Sequence, residues 1–305
     1  MIRKFTLLVA LTLMGSACSG SDQGNGGLPL VIVTTTILGD IVSATSGGAV
    51  QIEVLMPVGA DPHDFAASAR QAARLREAVL VIANGVGLEE GLLDVIEAAE
   101  ADGVAVMRIG ELLDPQPAVI GEGASESGQE PHDLDPHVWL DPVRMTRAVE
   151  LIAGRLSTEA DVDVTNSAAV YRASIQDLHT EVAAMIEEVP PERRKLVTNH
   201  YSFGYFADRY GLTMLGAVIP ATTSGAEPSA SDFAALIHLL EREEVSVVFG
   251  STTEPTTLAE ALAEELGREV RVVELYTGSL GAAGSGADTY LDMMRTNARL
   301  IAENL

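Results

Sequence analysis

Twice along this chain, continuous β-branched runs alternate with amphipathic stretches, and that alternation restricts it to an α/β fold. The first round places strands at Leu30–Thr35, Gln51–Met56, Val79–Ala83 and Val104–Ile109, with helices at Ile37–Ala44, Ala66–Ala78 and Leu88–Ala99 between them. A run such as Leu30-Val-Ile-Val33 has no polar alternation, as expected of a strand buried on both faces of a parallel sheet. The intervening helices are the crossovers that parallel strands require. The second round places strands at Lys195–Thr198, Thr213–Ile219, Val245–Phe249 and Val270–Leu275. Its helices are Ser202–Tyr210, Asp232–Glu243, Thr256–Leu266 and a closing Thr289–Glu303.

Between the rounds, Asn166 to Val189 keeps one apolar face (Tyr171, Ile175, Leu178, Val182, Met185, Ile186) until Pro190-Pro191 stops it. A helix of that length spans about 35 Å at 1.5 Å per residue, comparable to a whole lobe. The expected architecture is two similar α/β lobes, each a parallel sheet flanked by helices, joined by that helix. Residues 28–160 form the first lobe, 161–190 the connecting helix and 191–305 the second lobe. Clefts between lobes, beyond the carboxyl ends of strands, are where such folds bind ligands.

The amino terminus fixes the compartment. Arg3 and Lys4 precede the apolar run Phe5–Met14, followed by Gly15-Ser-Ala-Cys18. A basic end, a short apolar run and small residues make a secretory signal, here residues 1–17; a spanning helix needs about 20 apolar residues. The arrangement resembles a bacterial lipoprotein signal, with the chain's only cysteine, Cys18, as the lipidated residue and 18–27 as a flexible tether. The protein is expected outside the cytoplasm, anchored to the cell membrane, at the cell surface or in a periplasm. With 19 Lys and Arg against 44 Asp and Glu, its net charge of -25 argues against nucleic acid as a partner.

Three histidines stand where ligands gather in such a fold. His63 lies in the turn-rich loop after the second strand, and His200 at the carboxyl end of the strand ending at Thr198. His137 sits between Pro136 and the hydrophobic Val138-Trp139-Leu140, where a loop dives into the core; Asp141-Pro142 then opens a helix. Two would come from the first lobe and one from the second. Three neutral imidazoles suit zinc and leave a fourth position for water or a carboxylate. Asp61, Asp64, Asp133 and Asp135 are placed to orient the rings. From the residues alone, a metal-binding receptor and a zinc-dependent hydrolase both remain open. No Gly-x-Ser-x-Gly elbow is present, and Gly85-Val-Gly87 lacks the rest of a dinucleotide fingerprint. His179 and His238 fall on helices and are read as structural and exposed, respectively.

Several motifs occur in register: Gly59-Ala-Asp-Pro-His63-Asp-Phe, Ile82-Ala-Asn-Gly-Val-Gly-Leu-Glu89, Asp135-Pro-His137-Val-Trp-Leu-Asp-Pro142, Thr198-Asn-His200-Tyr-Ser-Phe-Gly and Glu227-Pro-Ser-Ala. Together they resemble the zinc- and manganese-binding solute-binding proteins of ABC importers, the ZnuA-like and TroA-like group. The resemblance implies a non-enzymatic, monomeric receptor that hands a metal to a membrane permease; cell adhesion is a further family-level association. It implies His63, His137 and His200 as ligands and Zn²⁺ as cargo, with manganese or iron as the alternative, since manganese-preferring members carry glutamate as the third ligand. Many members supply an aspartate as fourth ligand where this chain has Gly278. That leaves the fourth position to water, to Glu274, or to a group from the acidic loop 114–135. His132 is the one histidine in that loop, where zinc-binding members carry a histidine-rich insert.

Overall fold

The computed structural model describes residues 27–118, 134–266 and 270–305. The expected signal segment, Cys18, nearly all of the tether, and most of the 114–135 loop including His132 and Asp133 lie outside the described residues. Two four-stranded parallel sheets form the frame. The first comprises β1 (Leu30–Val33), β2 (Gln51–Val54), β3 (Leu80–Ala83) and β4 (Ala105–Arg108) in the order β2-β1-β3-β4. The second comprises β5 (Lys195–Thr198), β6 (Thr213–Ala217), β7 (Val247–Ser251) and β8 (Arg271–Leu275) in the order β6-β5-β7-β8. In each sheet the strand order reverses at the first strand, so β1 and β5 mark equivalent switch points.

Strand period and core agree. Val31 and Val33 of β1 and Leu80 and Ile82 of β3 face one large apolar cluster, while Leu30, Ile32, Val81 and Ala83 face a smaller one. In the second sheet Leu196, Val247 and Phe249 face the large cluster, and Val197 and Val248 a third. The large cluster is common to both lobes. It is filled by α1 (Thr36–Ser46), α4 (Pro142–Glu159), α5 (Thr165–Glu187), α6 (Gly204–Tyr210) and α9 (Tyr290–Asn304). On α5, Ile175, Leu178, Val182 and Ile186 are completely or almost completely buried, each worth about 1.5–3 kcal/mol. The outer faces are covered by α2 (Ala69–Leu75) and α3 (Leu93–Ala101) in one lobe, and by α7 (Ala230–Arg242) and α8 (Thr257–Glu265) in the other. The lobes therefore share one core rather than meeting across a hinge.

Most element ends differ by a few residues from the sequence expectation, two of them for identifiable local reasons. β1 stops at Val33 because Thr35 turns out to cap α1, its hydroxyl accepting the Leu38 N–H at 3.2 Å. The helix expected from Leu88 begins as a single 3-10 turn at Glu90–Leu92, and α3 starts only at Leu93. Gly85, Val86 and Gly87 precede it with φ of 74°, 57° and 77°, a left-handed run no helix tolerates. The buried Glu89 carboxylate holds this turn, accepting Asn84 N–H (2.7 Å), Gly85 N–H (2.9 Å) and Thr34 Oγ–H (2.7 Å). The Asn84 side chain then donates to the Pro136 carbonyl at 2.9 Å, so the turn braces the residue before His137.

Candidate metal centre

Loops at the carboxyl ends of the strands bring His63, His137 and His200 together, all three buried. One nitrogen from each ring lies within 4.8 Å of the other two. Ring centroids are 5.5 Å apart for His63–His137 and His63–His200, and 5.1 Å for His137–His200. The His137 and His200 Nε2 atoms are 3.2 Å apart. Two nitrogens bound to one tetrahedral zinc at about 2.0–2.1 Å would stand roughly 3.3 Å apart, so the spacing already matches that of co-ligands.

Each ring is fixed differently. His137 follows Asp135, whose Oδ1 accepts both the His137 backbone N–H (2.9 Å) and, at 2.8 Å, the ring Nδ1. That contact selects the tautomer with Nε2 free to ligate. The next residues anchor it across the lobes. Trp139 Nε1–H donates to the Thr277 carbonyl at 2.9 Å, and Tyr290 Oη–H to the Trp139 carbonyl at 2.8 Å. Asp141 caps α4 and receives a bidentate pair from Arg209 of α6 at 2.9 and 2.6 Å. Tyr205, also on α6, donates to the Asp135 carbonyl at 2.9 Å.

His200 leaves β5 and has Glu254 Oε1 3.1 Å from its Nδ1. Glu254 follows β7, the strand beside β5, which is what puts its carboxylate on this ring. Burial raises the Glu254 carboxyl pKa, but His200 and the Ser251 and Asn199 side chains outweigh it and hold it below its usual value. His63 has no such partner: both of its ring nitrogens are buried without a hydrogen bond. Unmet buried polar groups cost about 1–3 kcal/mol each, and a bound cation would satisfy one of the two nitrogens. Only its backbone is tied, by Asp61 Oδ1 accepting the His63 N–H at 3.0 Å.

The electrostatics suit a cation held by neutral rings. Burial drives the His63 pKa down to about 2 and the His137 pKa well below the usual histidine value, with the neighbouring rings adding to both shifts. Burial pushes Asp135 up to about 7.

Of the expected orienting acids, Asp135 acts on its ring and Asp61 on backbone only, while Asp64 is exposed. Glu274 must be withdrawn as a fourth ligand. It is exposed on the edge strand β8 while the next residue, Leu275, is fully buried, and strand alternation turns it away from the cluster. His179 bonds Tyr210 (Nδ1–Oη 3.2 Å) and His238 is exposed, both apart from the site. Glu254 was missed by the sequence reading; its signal was an acid following a strand, but only strand order reveals which strand's ligand it meets.

Two parallel-sheet lobes on one core, with a buried three-imidazole cluster between them, define a solute-binding receptor for a metal cation. The family described as "Zinc-uptake complex component A periplasmic" matches residues 31–304, and the chain belongs to it. It is thus a metal-binding receptor of an ABC importer, and not an enzyme. The manganese-binding lipoprotein MntA of Halalkalibacterium halodurans is 27% identical over 98% of this chain and 97% of its own length. The zinc-binding protein TroA of Treponema pallidum is 28% identical over 97% of this chain and 94% of its own. The solved structure of Treponema pallidum TroA superposes with a TM-score of 0.80 at 26% identity, covering 91% of this chain and 99% of that one. Among the described residues no helix is long and apolar enough to cross a membrane.

Proposed function

We propose that this receptor captures Zn²⁺ outside the cytoplasm with His63, His137 and His200 and delivers it to the permease of its importer. The observation that carries the reading is the convergence of three buried imidazoles, two of them with Nε2 atoms 3.2 Å apart and carboxylates at their far nitrogens. Imidazole donors suit zinc, whereas carboxylate and water suit manganese. Cys18 is the lipid anchor in this reading, tethering a monomeric receptor near the permease; lipoproteins among its relatives support it. Manganese is the second reading, favoured by what MntA is named for. The donor set opposes it, since no carboxylate joins the three rings among the described residues.

Calorimetry on metal-stripped protein tests the site. A zinc site is worth about 10–16 kcal/mol shared among its donors, so His63→Ala, His137→Ala and His200→Ala should each weaken zinc by more than about 100-fold. His179→Ala should bind as wild type does. Undiminished affinity in His200→Ala would overturn a site made by both lobes.

A further inference from the structure

Asp135 orients His137, and the structure shows what orients Asp135. Leu134, the residue before it, is 43% exposed, so the chain is not packed into the core immediately before it enters the site. Pro136 restricts Asp135 to extended backbone but leaves its peptide groups to find partners. They find them in one place. The Asp135 N–H donates to the Gln116 carbonyl at 2.8 Å, and the Asp135 carbonyl accepts the Tyr205 hydroxyl at 2.9 Å. The same phenol oxygen accepts the Gln116 N–H at 2.9 Å. Pro117 and Leu134 form an antiparallel bridge beside them.

Tyr205 is itself held. Its ring is buried, and the Arg144 guanidinium lies over it, 5.1 Å from the centroid. Arg144 also donates to the Leu113 and Asp114 carbonyls, on the segment leading to Gln116. Helix α6 carries Tyr205, Asp208 and Arg209 at the i, i+3, i+4 spacing of one face. Asp208 accepts the Gln116 side-chain N–H at 3.3 Å and Arg209 grips Asp141, so α6 meets the chain on both sides of His137. It starts at Gly204, directly after the His200 segment. One helix of the second lobe therefore carries the groups that hold the first lobe's ligand.

The phenol matters to the metal because Asp135 works through backbone geometry. Its Oδ1 accepts the His137 N–H at 2.9 Å and meets ring Nδ1 at 2.8 Å, two residues on. Turning the Asp135 backbone therefore turns the carboxylate away from the ring. We propose that Tyr205 is a positioning residue of the metal site. Its hydroxyl fixes the Asp135 backbone so that the carboxylate meets His137 Nδ1 and leaves Nε2 aimed at the cation. The inference rests on His137 being a ligand.

A double-mutant cycle on metal-stripped full-length chain tests it, with zinc affinity measured by chelator competition. Tyr205→Phe, which keeps the buried ring, should weaken zinc by about tenfold, the lower end of the cost of losing an outer partner of a ligating imidazole. Tyr210→Phe, which removes a hydroxyl from the same helix, should stay within about twofold of wild type. In an Asp135→Ala background Tyr205→Phe should cost less than about twofold, because the carboxylate it positions is gone. The same loss with and without the Asp135 side chain, or equal losses in Tyr205→Phe and Tyr210→Phe, would mark a general effect on the fold and overturn the positioning role. So would a Tyr205→Phe that binds zinc as wild type does. Circular dichroism on every variant separates loss of fold from loss of site. If Asp135→Ala does not fold, the His137 ring decides. Its Nδ1–H resonance in the proton NMR spectrum of the metal-free protein should shift in Tyr205→Phe and stay in Tyr210→Phe; a resonance unmoved in Tyr205→Phe would contradict the proposal. A wild type that binds no zinc would instead sink the zinc reading on which it rests.

Discussion

His137 hydrogen-bonds the buried Asp135, and His200 Nδ1 stands 3.1 Å from Glu254 in a close contact outside hydrogen-bond geometry, whereas His63, from the loop after β2, has no carboxylate at either ring nitrogen. The first two are built into the seam between the lobes. Trp139, Tyr290, Tyr205 and the Asp141–Arg209 pair cross-link that seam, and the apolar core runs continuously beneath it. His63 hangs from a turn fixed through its backbone. Two donors are therefore preset by the fold, and the third is set only by burial and by its neighbours. In the proposed site a cation would take most of its geometry from the seam and complete its coordination with His63.

Seam and loop should differ most when the carboxylates are removed. Asp135→Asn and Glu254→Gln should each lower zinc affinity by about 10–100-fold, the usual cost of losing the group that orients a ligating imidazole. Asp61→Asn, which meets the His63 backbone and the Ser224 hydroxyl but neither His63 ring nitrogen, should cost less. Isothermal titration on the three variants ranks them; an Asp61 variant as weak as the other two would erase the distinction between seam and loop.

A smaller effect appears in the pH dependence of the metal-free protein. His63 is held neutral, with a folded pKa near 2 against 6.5 in the unfolded chain. Below pH 6.5 the unfolded chain takes up a proton that the folded one refuses, so stability is lost as pH falls. His63→Ala should flatten that fall by up to about 1.4 kcal/mol per pH unit, one proton's worth of linkage. Asp135, raised to about 7, has the opposite sign between its unfolded value of 3.8 and 7, because there the folded state holds the extra proton. His63 is therefore the cleaner probe. Urea denaturation at pH 7 and 5.5 reads the difference, and parallel losses in wild type and His63→Ala would contradict a buried neutral ring.

The smallest signal is optical. Trp139 is the chain's only tryptophan, and its ring lies 5.3 Å from that of His137. Zinc binding should change its emission with the same stoichiometry as calorimetry. The change should persist in His63→Ala at saturating zinc and vanish in His137→Ala. Emission that ignores zinc in the wild type would detach the seam from the site.

What could be read in the sequence follows from which signals are local. The β-branched runs, the Asp141-Pro142 helix start and the stop at Pro190-Pro191 are encoded in neighbouring residues, and the structure keeps them with ends shifted by a few positions. The three histidines could be singled out because each follows a strand or enters a core segment, but their convergence depends on the carboxyl ends of two sheets facing one cleft. Glu254 was hidden because its role comes from β7 lying beside β5, which is strand order rather than sequence order. Glu274 misled because its place near Gly278 suggested reach, although the alternation along β8 turns it outward.

Zinc-edge X-ray absorption on the chain loaded with one equivalent of metal tests the central claim most directly. Three imidazoles at about 2.0–2.1 Å and one further light-atom donor are expected, with one imidazole fewer in His63→Ala. A zinc environment with fewer than three imidazoles in the wild type, or one unchanged in His63→Ala, would contradict it.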